Sequence, residues 1–389
     1  MKIAIFTQPI YINYGGILQA YAVQKVLKDM GHQVVTIDIP WKVHTHPSVF
    51  LQLYQFFITF ACFLLGRIKF KDIFFPFNTK ERNTLILRHS MRPFINRIIK
   101  LSPPIFTDKD LVDYIKNQKF DACIVGSDQV WRPCYSPNIG WYFFDFLSEE
   151  DNIKRLALSA SFGTSDWEYT DEQTEIVKRL LNKFDAISVR EKQGLFLCKK
   201  KLGIDVIQLI DPTMMLSPKD YSVLVEMDKE KTTNVSGLIF AYILDPTDSK
   251  QILVTKISRR LKKEVNMFGA EIKFSPYAKK SKVNHYALPS VSQWLQCFQY
   301  ADFVITDSFH GVVFSILHHR PFIVIANKER GLARIESILE MFDLQDRLLD
   351  SIDGYSLEWL INGIDWEMID GVLELERQRF RTFLIDSLS

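Results

Sequence analysis

Apolar residues along this chain gather in short unbroken runs. Each run passes into a polar loop with small residues, and helical spacing often follows. Ile3-Ala4-Ile5-Phe6-Thr7 is the first run. Residues 16–30 then place Ile17, Leu18, Tyr21, Val23, Val26 and Leu27 at the recurrence of an amphipathic helix. Gly31 is positioned to end it. Residues 34–38 resume as a strand. The unit recurs at 122–125 into Gly126-Ser127-Asp128, at 156–158 into Ser159-Ala160-Ser161-Phe162-Gly163, at 186–189 into Arg190-Glu191, and at 206–210 into Asp211-Pro212.

Beyond Pro218 the pattern restarts. Residues 238–244 predict a strand, and 249–261 a helix with Asp248 as candidate N-cap. Residues 303–305 run into Thr306-Asp307-Ser308, and 322–325 into Ala326-Asn327-Lys328. Helices are predicted over 334–342 and 366–384. Unbroken apolar strands alternating with helices predict parallel sheets covered on both faces, an α/β fold. A length of 389 residues suits two domains. The boundary is placed at Asp211-Pro212-Thr213, where proline ends a strand. One lobe is expected over 1–212, with a hydrophobic and basic insertion around 48–100. A second is expected over 213–365, and a helix over 366–389 that packs back on the first.

Residues 49–65 of that insertion are strongly apolar, although Gln52, Gln55 and Thr59 interrupt them. Residues 66–100 carry nine Lys/Arg against Asp72 and Glu81. One reading is a helix packed between lobes or subunits, followed by a solvated basic face. The other is a patch lying on an anionic membrane surface. Net charge is +2, from 48 basic and 46 acidic side chains, which opposes a dedicated nucleic-acid binder. The five cysteines form no CxxC pair and no zinc-ligand spacing, so buried thiols in a reducing cytosol and no metal are expected. The N-terminus lacks the long apolar stretch of a signal peptide. A cytoplasmic protein is expected.

In open α/β sheets, ligands bind beyond the carboxyl ends of the strands. Asn13-Tyr14-Gly15-Gly16 opens a helix there, a place suited to phosphate or carboxylate. Ser127, Asp128 and Trp131, together with Ser161, offer hydroxyl, carboxylate and indole groups as candidate acceptor contacts; the plain alternative puts Trp131 in the core. His310, beside Asp307 and Ser308, is the best candidate for proton transfer. His318 and His319 end a helix and suit its dipole. Arg190 ends a strand, where its planar fork could hold an anion; an ion pair with Glu191 or another acid is the alternative. Lys328, Arg330 and Arg334 form a further basic group.

With these residues laid out, the chain resembles the polysaccharide pyruvyl transferase family. The resemblance rests on Asn13-Tyr14-Gly15-Gly16-Ile17-Leu18-Gln19-Ala20-Tyr21-Ala22, Val125-Gly126-Ser127-Asp128-Gln129-Val130-Trp131, Ser159-Ala160-Ser161-Phe162-Gly163, Ser188-Val189-Arg190-Glu191, Ile210-Asp211-Pro212-Thr213, Thr306-Asp307-Ser308-Phe309-His310-Gly311 and Arg320-Pro321-Phe322. It implies two Rossmann-like lobes facing a cleft, similar to the type B glycosyltransferase architecture. It implies phosphoenolpyruvate as co-substrate with no further cofactor. The acceptor is then a glycan of a cell-surface polysaccharide, galactose or a hexosamine, lipid-linked at the inner membrane face.

By the resemblance, His310 acts in acid/base chemistry and Arg190 holds the donor; from their positions, Asp307 is expected to assist His310, and Asn13, Gly15, Gly16, Ser308, Lys328, Arg330 and Arg334 to help hold the donor. Ser308 stands where many members carry an arginine, so Arg330 or Arg334 is expected to supply that cation. Two other readings fit the same pattern. One is a nucleotide-sugar glycosyltransferase of this architecture. The other is a non-enzymatic, membrane-associated assembly subunit. Nothing in the pattern opposes oligomerisation.

Overall fold

The computed structural model describes residues 1–40, 57, 60, 61, 63–66, 91–136, 138–227, 236–268, 288–327 and 330–389. Most of the 48–100 insertion therefore lies outside the described residues.

Two parallel sheets organise the chain. The first holds β1 (Lys2–Phe6), β2 (Gln33–Thr36), β3 (Ala122–Val125), β4 (Lys154–Ala160), β5 (Ala186–Val189) and β6 (Ile207–Gln208), in the order β2-β1-β3-β4-β5-β6. The second holds β7 (Ile239–Tyr242), β8 (Val265–Met267), β9 (Phe303–Thr306) and β10 (Phe322–Val324), in the order β10-β9-β7-β8. Every neighbouring pair is parallel. The fold is thus α/β, with two Rossmann-like lobes.

Helices follow the strands. The first lobe carries α1 (Tyr14–Asp29), α2 (Arg92–Ile98), α3 (Asp108–Gln118), α4 (Asp171–Leu181) and α5 (Lys192–Leu197). After the boundary come α6 (Pro218–Glu226), α7 (Asp248–Leu261), α8 (Val291–Tyr300), α9 (Phe309–Leu317), α10 (Leu332–Met341), α11 (Leu357–Asn362) and α12 (Trp366–Leu388). Reciprocal capping boxes start three of them, Thr170 with Gln173, Ser217 with Asp220 and Ser290 with Gln293. Among the described residues no helix is long and apolar enough to cross a membrane.

Several elements depart from the sequence expectation. Thr247, not Asp248, caps α7, because its backbone is still extended while Asp248 is already helical. Asp248 instead serves the helix dipole from the first turn. Strand β4 runs on through Ser159 and Ala160, with a register shift between Ala157 and Ala160 and Ser159 at φ 52°. Burial pushes the His318 imidazole down to about 4, helped by Arg320 and His319, so it stands neutral rather than serving the dipole as a cation. Cys134 is exposed, whereas Cys123, Cys198 and Cys297 are buried.

The sheet orders set the crevices. The chain leaves β1 for β2 on one side and returns to β3 on the other. It does the same from β7 to β8 and then β9. The switch points therefore lie between β1 and β3 and between β7 and β9, where open α/β sheets bind ligands.

The lobes are joined by packing. Tyr14, at the start of α1, stacks on Trp294 of α8 at 5.6 Å and 4°. Its hydroxyl donates to the Pro289 carbonyl at 2.7 Å. Ile17 and Leu18 share one apolar cluster with Met214, Tyr221 and Phe314. Across the opposite side, the Lys192 amide and the Gln208 side chain both donate to Ser337 Oγ. Helix α12 runs back to the first lobe, where Arg379 donates to the Gln208 carbonyl and Lys154 to that of Ser387, while Arg377 donates to the Met214 and Leu216 carbonyls just past the boundary.

Candidate active site

Both switch points open on one cavity of about 360 Å³. The first lobe contributes Ile12, Asn13, Tyr14, Asp128 and Gln129, from the loops after β1 and β3. The second contributes residues after β7, Ser308, Phe309 and His310 after β9, and Arg330 and Arg334 after β10.

His310 sits in the first turn of α9 and is 5% exposed. Its Nε2 lies 3.7 Å from Asp211 Oδ2. Its ring packs directly on the start of α1: a Cβ added to Gly15 would come within 1.9 Å of His310 Nδ1. Glycine is required at position 15 by this close approach, not by φ.

Asp211 lies at the floor of the crevice, 1% exposed. Oδ1 accepts from the Thr213 amide and hydroxyl at 2.9 and 2.6 Å. Oδ2 accepts from Ser127 Oγ at 2.8 Å and from Arg190 at 2.7 Å. Burial alone would raise this carboxyl, but His310, Arg190 and Thr213 outweigh it and hold it well below the usual carboxylate range. An ionised Asp211 therefore pairs with Arg190 and faces His310.

Arg190 stacks on Phe309, its guanidinium carbon 4.3 Å from the ring centroid. Its side chain is 1% exposed and lies behind Phe309, off the cavity wall. The expected direct grip on a ligand is thus not what the geometry shows, since its guanidinium pairs with Asp211 at 2.7 Å and faces Asp128 at 3.8 Å. Glu191 turns the other way and accepts from Ser161 Oγ, the Phe162 amide and the Gly163 amide.

Asp307 is fully buried and does not reach His310. Its oxygens accept from the Leu244 amide at 2.7 Å, the Asp245 amide at 3.2 Å, Lys250 Nζ at 2.6 Å and Asn327 Nδ2 at 2.9 Å. It ties the loops after β7, β9 and β10 together. Of the expected acceptor contacts, only Asp128 reaches the cavity, where it accepts from Asn13 Nδ2 at 3.1 Å and adopts φ 77°. Ser127 is taken up by Asp211, Ser161 by Glu191, and Trp131 is a core residue whose indole donates to the Tyr142 carbonyl. All three are fully buried.

The basic group divides. Arg330 is held bidentate by Asp245 at 2.8 and 2.9 Å. Arg334 lines the cavity, is 7% exposed, and has no carboxylate within ion-pair distance among the described residues. Lys328 lies outside the described residues.

In the sequence Asp211 marks a boundary and stands in one motif of the resemblance, with no role assigned to it there. Its pairing with His310 spans the two lobes and leaves no local signal. The apolar wall of Ile12, Ile243, Leu244, Phe268 and Leu288 was likewise missed. No group of three His, Cys, Asp or Glu residues that could hold a metal gathers among the described residues.

The model of the polysaccharide pyruvyl transferase family matches residues 13–329. The chain belongs to that family. The match takes in the Asn13 loop, Arg190, Asp211 and His310, and ends just before Arg330 and Arg334 of the cavity wall. No curated protein matches the chain. Among solved structures, MurG of Acinetobacter baumannii is similar at TM-score 0.41 and 11% identity, covering 97% of this chain and 94% of that one. A glycosyltransferase from Rickettsia africae gives 0.44 and 12%, covering 99% of each. A UGT transferase from Siraitia grosvenorii in complex with UDP gives 0.48 and 8%, covering 100% and 99%.

Proposed function

We propose that this pyruvyl transferase moves pyruvate from phosphoenolpyruvate onto a saccharide of a cell-surface polysaccharide precursor, as a ketal. The observation that carries the reading is the buried His310, backed by ionised Asp211, in a cavity at the switch points of both sheets.

Phosphoenolpyruvate is an enol phosphate with two anionic groups. Its methylene carbon takes a proton, leaving an oxocarbenium-like carbon at C2. One sugar hydroxyl adds to C2, the bond from C2 to the phosphate oxygen breaks, and a second hydroxyl closes the ketal. Two hydroxyl protons are released; one balances the proton placed on the methylene, and the other leaves with phosphate. His310 is the group suited to carry them near neutral pH. Asp211 faces Nε2 of the ring at 3.7 Å. Nδ1, on the Gly15 side, then exchanges protons with substrate. Asp307 and Arg190 act as positioning residues: one fixes the loops, the other fixes Asp211.

The acceptors to test first are galactosides and hexosamines, free and lipid-linked. Phosphate release from phosphoenolpyruvate that depends on one of these sugars is the expected result. Release with none of them, together with stabilisation by nucleotide-sugars alone, would replace this reading with a glycosyltransferase.

A further inference from the structure

Most helices away from the cavity begin with a side-chain cap, although α2 and α5, which start after Met91 and Glu191, do not. Thr107, Thr170, Ser217, Thr247, Ser290, Ser356 and Asp365 each accept a first-turn amide with the side chain, capping α3, α4, α6, α7, α8, α11 and α12. At the cavity the same residue types stand at the N-cap but make no such bond. Asn13, before α1, gives its amide to Asp128 instead. Ser308, before α9, makes no side-chain cap bond. Gly331, before α10, has no side chain to offer. Helix starts left without side-chain caps carry partial positive charge and free donors.

A second, independent observation lies in the first turn of α10. Arg334 is 7% exposed, lines the cavity, and leaves Nε without a hydrogen-bond partner among the described residues. Its NH2 donates to the Arg330 carbonyl. The guanidinium stands over the Phe309 ring at 5.7 Å, on the ring that also carries Arg190. A buried cation with no carboxylate at ion-pair distance is costly unless an anion joins it. Burial and the neighbouring Arg190 both disfavour its charge, pushing it down to about 10, as expected of a cation whose counter-ion is a ligand.

We propose that the first turns of α1, α9 and α10 form one tetrahedral-oxyanion site with Arg334 as its counter-ion, and that this site holds the donor's phosphate. Three helix starts approaching from different elements suit a phosphate with several terminal oxygens better than a planar carboxylate. The anion site stands on the geometry; assigning it to phosphoenolpyruvate rests on the proposed donor.

Inorganic phosphate is the probe, followed by calorimetry and thermal stability, with pyruvate as the carboxylate control. The wild-type protein should bind phosphate and gain stability from it, while pyruvate alone binds more weakly. Arg334→Ala should weaken phosphate binding by roughly 10–100-fold, the range of a charged hydrogen bond. Arg334→Lys should fall between, because a point charge replaces a fork. Ser308→Arg added to Arg334→Ala should recover part of the affinity, since it brings a cation to the same wall. Absence of phosphate binding in the wild type, equal binding in Arg334→Ala, or pyruvate binding as tightly as phosphate would overturn the assignment. If Arg334→Ala does not fold, the lysine variant decides, and unchanged affinity there sinks the proposal. Phosphate binding lost in these variants, with no transfer from phosphoenolpyruvate by the wild type, would leave the site standing and remove only the donor.

Discussion

The imidazole of His310 and the backbone of Gly15 belong to different lobes, yet they pack so closely that a single methyl group on Gly15 would stand 1.9 Å from Nδ1. Gly15→Ala must therefore displace the ring. It also removes a glycine from a helix, which by itself favours folding by roughly 0.5–1 kcal/mol. The expected variant is folded, close to wild type in stability, and slower in turnover by about 10²-fold, the effect of a small misplacement of a reacting group. Turnover near wild type would show that the ring has room to move.

His310→Ala should lower turnover by about 10²–10⁴-fold with the fold intact. Circular dichroism and single-turnover phosphate release check both halves of that statement. A near-normal rate would end the acid/base assignment.

Asp211→Asn removes the nearer counter-charge of buried Arg190 and leaves Asp128 at 3.8 Å, a loss of about 3 kcal/mol, the low end for breaking a buried pair. The pH dependence has a definite sign. The folded carboxyl is held well below its ordinary value, so the unfolded chain takes a proton near pH 4 while the folded one does not. The stability it confers is complete above about pH 4 and is lost as the pH falls further. Denaturant melts below pH 4 should show a steeper acid loss in the wild type than in Asp211→Asn.

His318 works on a different window. Its folded value of about 4 lies below the ordinary value near 6.5, so protonation favours the unfolded chain between them. Stability should fall from pH 7 to pH 5 by on the order of 1 kcal/mol. His318→Gln should flatten that fall. An equal slope in both proteins would assign the pH dependence elsewhere.

Phe57, Leu64 and Leu65 stand well exposed in the insertion, ahead of a basic stretch. Co-sedimentation with anionic vesicles at low salt should retain the protein, and Phe57→Ser with Leu64→Ser should release it. Wild-type protein left in the supernatant would favour a protein partner for these side chains.

Much of the strand pattern was legible because buried parallel strands are unbroken apolar runs. β3 and β5 stand at the residues their hydrophobicity marks. His310 was legible as well, from its place beyond β9. What the sequence hid was long-range. Asp211 looks like a strand end with a proline after it, and its service to His310 appears only when the two sheets face each other. Ser127, Trp131 and Ser161 have the composition of a binding loop, but the chain turns them inward to Asp211, the core and Glu191. Asp307 sits beside His310 in sequence, yet the bend out of β9, before the helix begins, sends its carboxylate toward Lys250 and Asn327.

Tyr14 carries a consequence for how this molecule can be divided. Its ring belongs to one half of the chain and its socket, Trp294 and Pro289, to the other. Cut between the halves, each fragment would bare an aromatic surface made to be covered by the other. The lobes are therefore a single inheritance unit, and a functional chimera with a relative must take Tyr14 and its socket from the same parent.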